Sequence, residues 1–162
     1  MTVQLSYVSQ MTAVESLDTN SGFDSDKSVT HSLLNTSKTL NGTSSPAATQ
    51  VGVSSLALAG GAGTLDLTAL IGTNGAAVNG TGLRVQAAKF VNPATNANPI
   101  TVSKSVSSGY DGFGASFSLT LSPGAEMTVL TADAGSDIGS GNKNLTLGGT
   151  GAQALNYEIV MG

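Results

Sequence analysis

A chain of 162 residues, 40% hydrophobic and only 10% charged, is long enough for one domain with a real core and too short to expect two. Ten acidic and six basic residues leave a formal net charge of −4, and the cations (Lys27, Lys38, Arg84, Lys89, Lys104, Lys143) are scattered singly, which argues against the clustered basic surface that nucleic acid requires. The absence of cysteine excludes disulfides, thiolate zinc sites and thiol catalysis.

Along the chain the dominant signal is alternation of apolar and polar residues, the signature of a strand with one buried and one wet face. Val3, Leu5 and Tyr7 begin it. Gln10 to Leu17 has the weak spacing of a helical turn or two, without a clear cap. Asp18 to Asp26 reads as polar loop, Val29 to Leu34 as a strand, and Lys38 to Ala48 as loop again. Alternation then resumes through Val51, Val53, Leu56 and Leu58, and at Leu65 and Leu67. Residues 66–71 suit a short helix or a strand end equally. Further strands are expected around Leu83 to Ala87, Ile100 to Val102, Phe117 to Leu121, Met127 to Val129, Leu145 to Leu147, and Leu155 to Ile159.

Turn formers separate these runs. Ser122-Pro123-Gly124-Ala125 reads as a tight turn, and Asn41-Gly42, Asn74-Gly75 and Asn79-Gly80 as hairpin signals. Asn92-Pro93 and Asn98-Pro99 bracket a short loop, with Pro99 at the start of a strand, where a missing N–H does least harm. Leu56 to Leu67 and Leu145 to Tyr157 echo each other as strand, glycine turn, strand, and read as two similar hairpins. The pattern predicts an all-β fold: a single antiparallel β-sandwich over 1–162, jelly-roll-like, with about 8–10 strands, little helix, and a loop-rich segment at 17–48.

The opening residues carry no basic n-region followed by an apolar stretch, so no signal peptide is expected, and no run approaches the ~20 apolar residues of a membrane span. Asn35, Asn41, Asn79 and Asn144 each satisfy a glycosylation sequon, which a chain rich in Asn, Ser and Thr produces by chance.

Four kinds of chemistry were weighed against plainer explanations. His31 is the one imidazole, and a Ser-His-Asp assembly would need it with Asp24 or Asp26, but no Gly-x-Ser-x-Gly elbow surrounds any serine. Paired carboxylates for glycoside hydrolysis would come from acids such as Asp66, Asp111, Glu126 and Glu158, which fall at turns or outward strand positions. Gly61-Ala62-Gly63 does not complete a phosphate-binding glycine motif. Asp133, Asp137 and Asn142, or Asp24 and Asp26, offer oxygens to calcium, though turn-forming Asp and Asn explain the same letters. The expectation is a protein without catalytic, cofactor-binding or metal-binding residues, and so not an enzyme.

A surface with few charges and many small residues suits repeated burial, because long charged side chains cost entropy to immobilise and desolvate poorly. The expected partners are therefore copies of the chain itself in a homo-oligomer and other structural proteins, with no direct nucleic acid and no membrane. The stretch Lys143 to Gly162, with its polar turn and terminal alternating strand, resembles the last hairpin of small phage virion proteins. Thr2 to Tyr7, Leu83 to Asn92 and Ser118 to Thr131 are similar in type. The resemblance covers roughly the second half of the chain, rests on style without a diagnostic motif, and transfers no functional residue. It implies a jelly-roll or sandwich head subunit, a capsid or decoration protein, located in the virion and assembled in the host cytoplasm. Alternatives are a bacterial surface or fibre matrix subunit, or a carbohydrate-binding module in which Tyr110, Phe113 and Tyr157 stack on sugar.

Overall fold

The computed structural model describes residues 2–10, 12–17, 27–31, 36–131 and 135–162. Fourteen strands are found among them and no helix: β1 (Gln4–Ser9), β2 (Ala13–Leu17), β3 (Lys27–His31), β4 (Thr36–Asn41), β5 (Gln50–Leu58), β6 (Ala62–Asp66), β7 (Leu70–Ile71), β8 (Ala77–Val78), β9 (Val85–Val91), β10 (Ile100–Lys104), β11 (Ser118–Leu121), β12 (Glu126–Leu130), β13 (Asn144–Gly148) and β14 (Gln153–Met161). Eight of them build two four-stranded sheets, a front sheet β12-β9-β14-β5 and a back sheet β11-β10-β13-β6. Every pairing in both is antiparallel.

The two sheets arise from two bent ribbons. In the first, β5 pairs with β14 and β6 with β13, so the two echoing strand–glycine–strand segments lie against each other. The reading of each as a self-contained hairpin is corrected: each turns tightly at its glycines and sends its two strands into opposite sheets. At one corner Ala59 and Ala62 exchange backbone hydrogen bonds around Gly60 and Gly61, both at positive φ (60° and 86°). The Gly149 N–H donates to the Gly61 carbonyl at 2.7 Å. A Cβ on Gly61 would sit 2.5 Å from the Gly149 oxygen, so only glycine fits where the two corners touch.

In the second ribbon β9 pairs with β12 and β10 with β11. Its corners are pinned by Asn92, which is fully buried: its side-chain amide donates to the carbonyls of Leu121 (2.9 Å) and Asn98 (3.2 Å), and its backbone bonds with Gly124 and Ala125. Such a satisfied amide holds two loops together, and losing it would leave buried carbonyls without partners at about 1–3 kcal/mol. The ribbons join side by side through β14 with β9 in front and β10 with β13 behind.

Alternation then fills the space between the sheets. Phe90, Leu155, Tyr157 and Ile159 point in from the front sheet, and Leu65, Ile100, Val102, Leu145 and Leu147 from the back, in one buried cluster. Tyr110, on the β10–β11 loop, enters this core and accepts a hydrogen bond from the Val85 N–H at 3.0 Å. Burial raises its phenol above the ordinary value, which keeps the hydroxyl neutral.

The N-terminal region departs most from the sequence reading. β1 pairs with β4 and β2 with β3, forming two successive antiparallel ribbons that join neither main sheet. The helical spacing of Gln10 to Leu17 belongs to a strand, β2, and the loop expected from Lys38 onward is preceded and entered by β4. Two strands thus lie inside the segment read as loop-rich. β4 escaped notice because Thr36-Ser37-Lys38-Thr39-Leu40-Asn41 holds one apolar residue, too few to alternate. Residues 66–71 resolve into the end of β6, a turn, and β7; the Asp66 carboxylate accepts from the Thr68 N–H (2.8 Å) and hydroxyl (2.6 Å), which stops the strand.

Candidate interaction surface

The side chains singled out for chemistry are held in structural roles where they are described. Asp66 accepts from the Lys143 ammonium at 2.5 Å, on the outer side of the back sheet. Burial raises its carboxyl, but the hydrogen bonds from Lys143 and Thr68 outweigh this and leave it below the ordinary aspartate value. Asp111 is likewise raised by burial and lowered further by the Ser136 backbone and hydroxyl, which donate to it at 3.2 Å each. Glu126 pairs with Lys89 at 2.9 Å, and Glu158 stands opposite Lys89 on the outer side of the front sheet. The sandwich core separates Asp66 from these two glutamates.

Of the candidate calcium oxygens, Asp137 pairs with Arg84 at 2.7 Å, while the Asn142 amide donates to the carbonyls of Ser136 (3.2 Å) and Asp137 (3.1 Å) and its oxygen accepts from the Asp111 N–H. Asp133, Asp24 and Asp26 lie outside the described residues. So do the orienting partners proposed for His31, which ends β3 opposite Ala13. Among the described residues no group of three or more His, Asp or Glu converges as a metal site would. Gly61 forms the strand corner, and Gly63 lies within β6 opposite Leu147. Tyr110 and Tyr157 are buried, and Phe113 packs edge-on against Phe90 and Tyr110 (centroids 6.1 and 5.3 Å apart), so these rings fill the core and offer no platform for a sugar.

The distinctive surface is the outer face of the front sheet. Strand register sets its side chains in rows. One row runs Val51, Val160, Ala87, Leu130 across β5, β14, β9 and β12, and is wholly apolar. The next runs Val53, Glu158, Lys89, Thr128 and places opposite charges side by side. The root of the N-terminal hairpin lies over one half of the apolar row: Val3, Leu40 and Ala48 bury against Val160, with Leu5 and Val51 packed alongside. Beyond that contact none of the hairpin's described side chains is buried. Val8 on β1 is 69% exposed, Val14 on β2 is 63% exposed, and Thr12 to Glu15 are all exposed. Between β1 and the β9–β12 side of the sheet lies a groove of about 460 Å³, floored by Ala87 and Leu130 and walled by Tyr7 and Val8.

Strands were expected at Val3 to Tyr7 and at Val29 to Leu34, within reach of β1 and β3, but not at β2 or β4, so the pairing of the four into a hairpin was not foreseen. Comparison with protein-family models, with curated proteins and with solved structures finds no match for this chain.

Proposed function

We propose that the chain is a non-enzymatic structural subunit of a phage virion, a capsid or decoration protein that acts by packing against copies of itself and against other capsid proteins in particles assembled in the host cytoplasm. The observation that carries this reading is the pairing of a complete sandwich with a hairpin whose described side chains are buried only at its root. A two-stranded ribbon is marginal in water unless something covers it. A protein that keeps one, beside an open groove of mixed polar and apolar lining, is equipped to be covered by neighbours.

Strand order supports the same reading. Numbered 1 to 8 along the chain from β5, the main strands run 6-3-8-1 in front and 5-4-7-2 behind. That order supports reading the sandwich as a jelly roll, an architecture used by viral shell domains as well as by lectins and cupins. The side chains that a lectin or an enzyme would need are, where described, committed to ion pairs, turns and core, which favours the structural member of that group.

The test is the particle. Quantitative mass spectrometry of virions purified through a density gradient is expected to find the chain in many copies per particle, in fixed proportion to the shell protein. Its absence from purified particles, with the protein left among soluble host proteins, would overturn the proposal.

A further inference from the structure

We infer that Asn41 is a site of spontaneous covalent modification, at which the side-chain amide is converted, through a cyclic imide with the Gly42 nitrogen, to aspartate and isoaspartate. This goes beyond the structural reading above and does not depend on it.

The step is an intramolecular acyl transfer. The Gly42 backbone nitrogen loses its proton to water and attacks Asn41 Cγ. A C–N bond forms, the Cγ–Nδ2 bond breaks, and the side-chain nitrogen leaves as ammonia. Water then adds to one of the two imide carbonyls. The ring opens either to an ordinary aspartyl link or to an isoaspartyl link that runs through the side chain. Water is the one co-reactant, and nothing is oxidised or reduced.

The reaction needs a polarised amide carbonyl and a free nucleophile. The chain carries three Asn-Gly pairs, and all three asparagines are exposed. Each carbonyl is polarised by a turn that folds the side chain back along the following peptide. Asn74 Oδ1 accepts from the Ala76 N–H at 3.1 Å, and Asn79 Oδ1 from the Thr81 N–H (2.9 Å) and hydroxyl (2.7 Å). Asn41 Oδ1 accepts three: the Thr43 N–H and hydroxyl, both at 2.9 Å, and the Ser44 N–H at 3.1 Å. These donors converge on the oxygen where negative charge develops when Cγ is attacked, as in an oxyanion hole.

The nucleophile separates the three pairs. The Gly75 N–H donates to the Gly72 carbonyl at 2.9 Å and the Gly80 N–H to the Leu67 carbonyl at 3.0 Å, and both bonds must break before attack. Gly80 is also buried, with the Met161 sulfur, the Leu67 carbonyl and Ile138 crowding its Cα. The Gly42 N–H donates to no acceptor among the described residues, and nothing lies within 4 Å of where a Cβ would stand. Its approach to Cγ is open.

The position gives the reaction a consequence. Asn41 follows Leu40, which is buried against Val160 at the hairpin root, and its backbone carbonyl accepts from the Ala48 N–H at 2.8 Å. An isoaspartyl link inserts a methylene into the main chain between those two anchors and adds a negative charge beside them.

The full chain, incubated for days in warm neutral buffer, provides the test. Trypsin cuts after Lys38 and Arg84, which places all three asparagines in one peptide, 39–84. Electron-transfer fragmentation locates each new acid and separates isoaspartate from aspartate, with an unincubated sample correcting for conversion during digestion. Asn41 is expected to convert about tenfold faster than Asn74 or Asn79, the factor that one hydrogen bond on the nucleophile supplies. In urea the three rates are expected to draw level. Gly42→Ala should slow conversion at Asn41 several-fold by crowding the nitrogen, with circular dichroism verifying the fold. Thr43→Val, which removes one donor, should slow it by a smaller factor. Asn74 or Asn79 keeping pace with Asn41 in the folded chain, or an advantage for Asn41 that persists in urea, would overturn the inference. A rate unchanged by Thr43→Val would overturn the role given to the converging donors.

Discussion

The sandwich and the N-terminal ribbons use the same alphabet of Val, Leu, Ser and Thr and end in opposite conditions. In the sandwich the inward apolar positions of the two sheets, Phe90 and Tyr157 in front and Leu145 and Leu147 behind, share one buried cluster that excludes water. In the ribbons Val8 and Val14 stand exposed, and among the described side chains only those at the root, where Leu40 and Val3 reach Val160, are buried. The difference teaches that a strand is held by what lies behind it. Backbone pairing alone, which both regions possess, contributes about 1 kcal/mol per hydrogen bond net of water and does not offset the entropy of ordering the chain.

Three measurements sharpen that comparison. The largest effect is expected from Leu147→Ala, which empties a fully buried site between the sheets and should cost about 2–5 kcal/mol in urea unfolding. Val14→Ala on the ribbon should change the stability of the separate chain by less than about 0.5 kcal/mol. Equal losses at the two positions would mean that the ribbon shares the core's cooperativity.

A smaller contrast comes from two glycines. Gly61→Ala forces a side chain into positive φ and against the Gly149 carbonyl, and is expected to cost about 1–3 kcal/mol. Gly42→Ala, just past β4, meets open space and lacks the positive φ, so it should be neutral or stabilising by up to about 1 kcal/mol. Thermal melting of the two variants checks the pair.

The smallest effect belongs to Asp66, half-buried beside Lys143. Its folded carboxyl titrates below the ordinary value of 3.8, so the ionised form is the one that the fold favours. The resulting stabilisation is fully present above the unfolded value and is lost as pH falls through the depressed folded value. Asp66→Asn should therefore lower stability by about 0.5–1 kcal/mol at neutral pH and flatten that part of the acid limb. An unchanged acid limb in urea midpoints collected down through the carboxylate range would show that the pair contributes nothing.

How much of this was legible varied by segment. Leu145 and Leu147, or Leu155, Tyr157 and Ile159, announced their strands because one side of each faces a core and the period of two survives in the letters. β4 carries one apolar residue, and the described positions of β2 lie in water, so neither shows that period. Ser122-Pro123-Gly124 and Asn92-Pro93 were readable as turns from local backbone preference. That Asn92 is the buried pin joining those turns was not, because its partners Leu121, Asn98 and Gly124 come together only in the folded chain. The pairing of β1 with β4 was likewise unreadable, since Gln4 to Ser9 and Thr36 to Asn41 meet only in the folded chain.

What the sequence by itself determined is the material: strands of period two, tight glycine and proline corners, and a chain poor in charge. Those properties follow from each residue's own chemistry and its nearest neighbours along the chain. Only the tertiary structure decided that β5 and β6 part into opposite sheets, that β14 lies between β5 and β9, and that the apolar row on the front sheet is covered over half its length. Those choices depend on which faces can be buried together, and burial is a property of residues far apart in sequence that share one volume from which water is expelled.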